Sequence, residues 1–292
     1  MATKFIKSPF NYVGNKYKQL SQLMSIFPKH CNHFIDLMAG GLDVAINISE
    51  RANIVIANDI NPFVIEQIQA MKSISIEQLL DFIDKRIAEF QLSKTNEEGY
   101  LQYRDLYNHD SKYHTPLDLF VLTRFCFNNN LRFNESLKMN QAFGRNRSSF
   151  NSTQRKNTIL FHEAIQSILI NCQDFRNFNL NNFNKEDFIY IDPPYLISNA
   201  SYNVQAKNAN LRWEAKDDNS LMNWIDMLPT KWAMSNFLYH KGHSNEQMIE
   251  WIKQHNYNVY DIHSDYSHCT YNIREIKMPT LEVVITNYTI GE

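Results

Sequence analysis

The chain has 292 residues with 29 basic and 31 acidic side chains, a formal net charge of −2, and 43% hydrophobic content. Such a length and apolar fraction can bury a large core as one elaborated domain or two small ones, and the near-neutral balance excludes a protein that is basic over its whole surface. No segment approaches the apolar length of a membrane span, and the amino-terminal "MATKFIKSPFNYVGNK" lacks the apolar core of a signal peptide, so the expected location is cytoplasmic.

In chain order, "HFIDLMAGGLDVAINI" (33–48) reads as a strand, a small-residue turn and a helix opening near Leu42. "NIVIANDIN" (53–61) reads as a second strand ending in Asp59. Strand, glycine turn, helix and strand with a terminal acid is the nucleotide-binding βαβ layout, in which backbone amides cradle the ligand and the acid accepts from ribose hydroxyls. The same layout also serves as a plain strand-helix turn, so both readings stay open on these residues alone. Helical spacing follows in Ile65, Ile68 and Met71, and again in Ile76, Leu79, Leu80, Ile83 and Ile87, which predicts two helices before the polar stretch at "QLSKTNEEGY". A further helix or pair runs to about Phe127.

The segment from Arg124 to Lys156 concentrates charge. Its seven basic residues, Arg124, Arg132, Lys138, Arg145, Arg147, Arg155 and Lys156, oppose one acid, Glu135, for a local +6. A solvated charged face is the ordinary reading of such a run. Here amides and aromatics interleave with the charges, the mixture that contacts phosphates and reads base edges. Short apolar pieces between polar turns predict a hairpin or extended loop. Beyond it, "NTILFHEAIQSILINC" returns to helix and strand, and the carboxyl part alternates helices (217–228, 244–255) with strand-like "KWAMSNF", "YNVYDIH" and "LEVVITNY". The four cysteines, Cys31, Cys126, Cys172 and Cys269, form no C-x-x-C. "HCNH" (30–33) and "HSDYSHC" (263–269) carry no recurring ligand spacing, so no metal is expected.

The most informative stretch is "DFIYIDPPYLI" (187–197). Four apolar residues, Phe188 to Ile191, read as a buried strand that stops on a carboxylate, two prolines and a tyrosine. Prolines fix φ and give up their N–H donors, so Pro193 and Pro194 stiffen the exit from the sheet. Asp192 and the Pro193 carbonyl become adjacent acceptors, and Tyr195 adds an aromatic face. Two acceptors and a ring at the carboxyl end of a strand suit a planar ligand bearing an NH2 group. The alternative is an Asp that satisfies backbone donors beside a packed tyrosine.

Together these segments resemble the Dam-type DNA adenine-N6 methyltransferases. "NYVGNK" (11–16) is similar to the family's amino-terminal "KWAGGK" cofactor motif, with Tyr12 in the Trp place and Lys16 matching the Lys. "DLMAGGLDV" (36–44) resembles the "D-x-F-x-G-x-G" loop, although Leu42 stands at the last glycine and Met38 at the Phe. "FNNNLRFN" with "NQAFGR" (127–134, 140–145) resembles the recognition hairpin "YNGLCRYN…NVPFGR". "ESLKM" between its anchors departs from the family, so the family's GATC target is not implied. "NCQDF" resembles the acid-aromatic pair at the cofactor adenine, and "DPPY" (192–195) matches the catalytic motif without change.

The resemblance implies an α/β fold, a Rossmann-like methyltransferase sheet (1–61 and 157–292) with a helical and basic target-recognition insertion (62–156). It implies S-adenosylmethionine as cofactor, held by Phe10, Asn11, Tyr12, Lys16, Asp36, Met38, Ala39, Gly40, Asp59, Ile60, Asp174, Phe175 and Asp192. Catalysis is assigned to Asp192, Pro193, Pro194 and Tyr195, with the ring as the stacking platform for a flipped base. Contact with double-stranded DNA falls to Arg124, Asn129, Arg132, Asn134, Lys138, Arg145, Arg147, Arg155 and Lys156. The implied activity is methylation of adenine N6. Another exocyclic amine, cytosine N4 or RNA adenine, and a catalytically silent DNA-binding regulator stay open, and a separately acting restriction endonuclease is a compatible partner.

Overall fold

Strand β1 (Cys31–Asp36) lies in the interior of the sheet, and both of its faces are apolar. Phe34 points into one buried cluster and Ile35 into another, as expected for a strand covered on both sides. The same alternation runs through β4 (Phe188–Ile191), whose Phe188 and Tyr190 join the first cluster while Ile189 and Ile191 join the second. The computed structural model describes residues 5–197, 213–262 and 280–291. The motif "HSDYSHC" lies outside them. Among the described residues β2 (Ala52–Asn58), β3 (Ile168–Asn171), β5 (Lys231–His240), β6 (His243–Ser244), β7 (Asn258–Ile262) and β8 (Leu281–Thr286) complete an eight-stranded sheet. Its order is β3-β2-β1-β4-β5-β8-β7, with β6 paired to β5 off this path. The first five strands of that order run parallel, and β8 joins β5 and β7 antiparallel.

From β1 the chain winds outward through β2 to β3, and β4 then returns to the other side of β1. That reversal makes the carboxyl ends of β1 and β4 a topological switch point, where a crevice opens in sheets of this kind. The parallel, Rossmann-like sheet expected from the sequence is therefore present. The helix expected to open near Leu42 is not. Nine residues separate Leu42 from β2, and they form two 3-10 turns, Ala45–Asn47 and Ser49–Arg51. Leu42 sits at φ 65° with its side chain fully buried, and Val44, Ile46 and Ile48 are also buried, so core packing governs this crossover. Leu42 thus adopts a left-handed backbone without glycine, and burial of its side chain offsets the strain.

Six helices belong to the first cluster's side or to the segment between β2 and β3: α1 (Leu20–Ile26), α2 (Pro62–Lys72), α3 (Ile76–Glu89), α4 (Glu97–His109), α5 (Pro116–Phe125) and α6 (Ser152–Ile165). Their starts follow local chemistry. Asn61, Ser75, Asn96, Thr115 and Asn151 each accept from a backbone N–H in the first turn, and proline opens α2 and α5. Every residue of α5 from Asp118 to Phe125 is buried, so this helix is a core element. Helices α7 (Ala215–Asp226) and α8 (Glu246–His255) cover the second cluster, where Trp251 stacks on Trp232. No helix among the described residues is long and apolar enough to cross a membrane.

Between α5 and α6 the basic segment forms the expected hairpin. Antiparallel bridges join Cys126 to Phe143 and Phe133 to Met139, and Phe133 stacks on Phe63 of α2. Its tip is held by Asn134 Oδ1, which accepts from the Ser136 and Lys138 amides at 3.0 and 2.9 Å.

Candidate active site

The crevice at the switch point collects six segments, one of them Trp213 with Asp217 around the start of α7. Tyr12 to Lys16 form one rim, the loop from Leu37 to Gly41 the floor, Asn58 to Asn61 one side, Gln173 to Arg176 the far end, and Asp192 with Pro194 the opposite wall. The floor loop is pinned from both sides. Leu37 N donates to Tyr190 O at 2.9 Å, and Ala39 N to Asn58 O at 2.7 Å. Asn58 Nδ2 donates to the carbonyls of Leu37 and Gln173 at 2.9 and 3.0 Å, tying two loops to one buried amide. Gly40 lies at φ 49°, and a Cβ there would fall 2.7 Å from the Tyr12 ring, so only glycine fits without displacing that ring.

Asp59 reaches this loop as well. Its Oδ2 accepts from Gly40 N at 2.8 Å and its Oδ1 from Asn61 N at 2.9 Å. Burial raises its pKa above the ordinary carboxylate value, and those two N–H donors oppose the rise. Asp36, whose Oδ2 accepts from Ala45 N at 3.2 Å, is pushed well above its usual range, first by burial and then by the charge of Asp192. At the far end, Asp174 accepts from Arg176 Nη1 at 2.7 Å, and the same guanidinium pairs with Asp217 and lies 4.6 Å from the Phe175 ring centroid. Trp213 stands 6.0 Å from Phe175, its Nε1 donating to Asp218 at 2.6 Å.

Asp192, with 18% of its side chain exposed, faces the crevice with both oxygens engaged. Lys16 Nζ donates to Oδ2 at 2.7 Å and the Tyr195 hydroxyl to Oδ1 at 2.9 Å. Burial pushes the Asp192 pKa up, while the Lys16 charge and these two hydrogen bonds hold it down. A carboxylate has four lone-pair directions, so capacity remains for a further donor.

Of the residues expected at the cofactor, Tyr12, Lys16, Asp36, Met38, Ala39, Gly40, Asp59, Ile60, Asp174, Phe175 and Asp192 line this one crevice. Two do not. Phe10 is buried against Phe120 and Phe161, with centroids 5.5 and 5.6 Å away, and Asn11 turns outward to donate to Asn128 O at 2.5 Å. Both join the amino-terminal motif to the helical segment and hairpin. Arg176, Trp213 and Asp217 also line the crevice and were not singled out in the sequence. The signal available was "DFR", in which a basic residue follows the acid-aromatic pair.

Three further expectations need correction. Tyr195 is 5% exposed, with its ring packed edge-on to Phe237 at 4.8 Å, so it orients Asp192 and presents no open stacking face. Arg124 is 1% exposed, and its guanidinium donates to Pro9 O and lies 4.6 Å from the Phe120 ring, which removes it from any DNA surface. Asn129 spends its amide on the Thr123 and Arg124 carbonyls, at 2.9 and 3.0 Å, closing the end of α5. Arg132, Lys138, Arg145, Arg147 and Lys156 are exposed. Arg145 pairs with Glu97, and half-buried Arg155 pairs with Asp84.

The model of the family "D12 class N6 adenine-specific DNA methyltransferase" matches residues 12–267. The chain is 40% identical over 290 residues to the Type II methyltransferase M.FokI of Planomicrobium okeanokoites, covering 98% of this chain and 43% of that protein. It is 38% identical to the modification methylase StsI of Streptococcus sanguinis and 31% identical to the modification methylase LlaI of Lactococcus lactis subsp. lactis, covering 98% of this chain and 43% and 44% of those proteins. The chain therefore spans less than half the length of these relatives. A "DPPY" turn, a glycine loop and an acid-ended second strand meet in one crevice over a nearly full-length match, and the chain belongs to the D12 class N6 adenine-specific DNA methyltransferase family.

Proposed function

We propose that this chain transfers a methyl group from S-adenosylmethionine to the N6 amine of adenine in double-stranded DNA. The observation that carries the reading is the position of Asp192 on the wall of the crevice that Asp59 and Asp174 also line. The residues suit the cofactor. Asp36 and Asp59 supply acceptors for ribose hydroxyls, Gly40 allows close backbone approach, and half-buried Trp213, beside Phe175, offers aromatic surface for an adenine. Bound there, S-adenosylmethionine supplies an activated methyl on a sulfonium.

The chain's own contribution is orientation and electrostatics. Asp192 and the Pro193 carbonyl accept from the target NH2, which draws its nitrogen toward tetrahedral geometry and frees its lone pair. The rigidity of Pro193 and Pro194 fixes both acceptors, Tyr195 sets the carboxylate rotamer, and the positive charge that develops on nitrogen is met by Asp192. The amine is unreachable inside a duplex, so the base must be flipped out. Residues 1–61 and 157–292 form the catalytic part in this reading. Residues 62–156 form the target-recognition part, joined through α2, whose Lys72 donates to Ile168 O at 2.5 Å. The names of the StsI and LlaI relatives, modification methylases, fit a partner restriction endonuclease acting separately.

The test is to expose DNA of known sequence to the protein with S-adenosylmethionine and map modified bases with their flanks. N6-methyladenine in a fixed context is the expected result. Methyl on cytosine N4 would replace the substrate, and unmodified DNA would overturn the reading.

Asp59→Ala is expected to weaken cofactor binding by about tenfold or more while leaving DNA affinity unchanged, since it removes the ribose acceptor and releases Gly40 N. Titration of labelled cofactor reads this directly. On the hairpin, Arg132→Ala is expected to relax site preference, by roughly 1–3 kcal/mol at one base position. Lys156→Ala with Arg147→Ala should weaken all DNA alike and flatten the salt dependence. Rates over single-base site variants at two salt concentrations separate the two. An unchanged site ranking in the Arg132 variant would show that this hairpin arm is not the reader.

A further inference from the structure

Strand β8 carries one acid in an otherwise apolar run, Glu282, and it is 3% exposed. Its surroundings are specific. Glu282 Oε1 accepts from the Tyr195 hydroxyl at 3.1 Å and lies 3.9 Å from Lys16 Nζ, while Oε2 accepts from Gln19 Nε2 at 2.7 Å. Tyr195 and Lys16 are the same two groups that hold the oxygens of Asp192. Lys16 also donates to Gly14 O at 2.9 Å and stands 5.1 Å from the Tyr195 ring centroid. One ammonium thus lies between two carboxylates from distant parts of the chain, and the single hydroxyl proton of Tyr195 is within reach of both.

We propose that Glu282 is a positioning residue for methyl transfer, holding Lys16 and Tyr195 against Asp192. The proposal rests on the methyl-transfer reading. An Asp192–Lys16 pair alone is neutral and offers little to an amine that becomes cationic as its bond to the methyl forms. Glu282 adds a second carboxylate beside the Lys16 ammonium, and because the Lys16 and Glu282 side chains are nearly closed to water its influence on Asp192 is strong. A buried acid placed in a strand core also costs stability relative to an apolar residue, so its presence at this position calls for a reason beyond packing. Among the described residues, the titratable groups facing Asp192 are Lys16, Tyr195, Glu282, Asp36 on β1, Asp59 after β2 and Tyr190 on β4. Among the described residues, those facing Glu282 include Lys16, Asp192, Tyr195, Tyr190 and His240.

Glu282→Gln keeps the shape and removes the charge. It is expected to lower kcat by about tenfold with both KM values within about threefold. Because the Glu282 charge raises the Asp192 pKa, the acid limb of kcat/KM should move to lower pH in this variant. Glu282→Asp keeps the charge but retreats by one methylene, so it should restore the wild-type acid limb and only part of kcat. A second readout needs no turnover: the carbon-13 carboxyl resonance of Asp192 in the unliganded protein should titrate at lower pH in Glu282→Gln than in wild type. Wild-type kcat and an unmoved limb in Glu282→Gln, or wild-type kcat in Glu282→Asp, overturn the proposal. Failure of the wild-type protein to methylate any DNA removes the reading beneath it, and the carboxyl titration still reports whether Glu282 governs Asp192.

Discussion

Asp192→Ala is expected to abolish methyl transfer, with a loss of about 10³-fold or more in kcat, while the protein stays folded and binds cofactor. The carboxylate is the acceptor that faces the crevice, and its removal creates a gap at a partly open wall, not in the core. Lys16 keeps Gly14 O as an acceptor and Glu282 as a counter-charge, so the variant does not leave a buried cation unpaired. Asp192→Asn should be nearly as impaired, because an amide can turn a donor toward the incoming NH2. The wild-type pH profile supplies a matching check. An acceptor must be ionised, so activity is lost as pH falls through the Asp192 pKa, and burial has raised that pKa above the ordinary carboxylate value. The acid limb of kcat/KM therefore lies at higher pH than that of a solvated Asp. Single-turnover transfer to a labelled duplex, with cofactor affinity and thermal midpoint measured in parallel, checks the whole set. An alanine variant with near wild-type turnover would remove Asp192 from the chemistry.

Arg124→Ala is expected to destabilise the fold by about 3 kcal/mol or more, the largest stability effect among the basic residues of this segment. Its guanidinium sits between Phe120 and the Pro9 carbonyl and also donates to Thr123 and Gln154. Burial pulls its pKa down to about 10, and it remains charged at neutral pH. Truncation deletes a large buried side chain, strands the Pro9 carbonyl and loosens the amino-terminal segment that carries Tyr12 and Lys16. Chemical denaturation gives the magnitude. The diagnostic comparison is DNA affinity of the folded fraction, which should match wild type, whereas a surface phosphate contact would show weakened DNA binding with unchanged stability.

Most helices from α2 onward were legible from periodicity, unlike α1 and the absent helix after Leu42, and β4 with its turn was legible from an apolar run ended by two prolines, because these signals depend on neighbours a few residues apart. The hairpin was legible for the same reason. Arg124 was misread because its neighbours in sequence resemble those of an exposed arginine. Its burial follows from α5 being covered on all sides, a condition hinted at by the apolar run "LFVL" before it but created by helices packed around it. Glu282 passed unnoticed as a single acid near the start of an apolar strand. Only the sheet order, which inserts β8 antiparallel beside β5, brings it to Lys16 and Tyr195. The sequence by itself determined which short segments bend, twist or present an acceptor, since steric and hydrogen-bonding rules for these are local. The tertiary structure alone decided which charges are buried and which carboxylates share one ammonium, because solvation and Coulomb interactions depend on distances that the chain's topology sets.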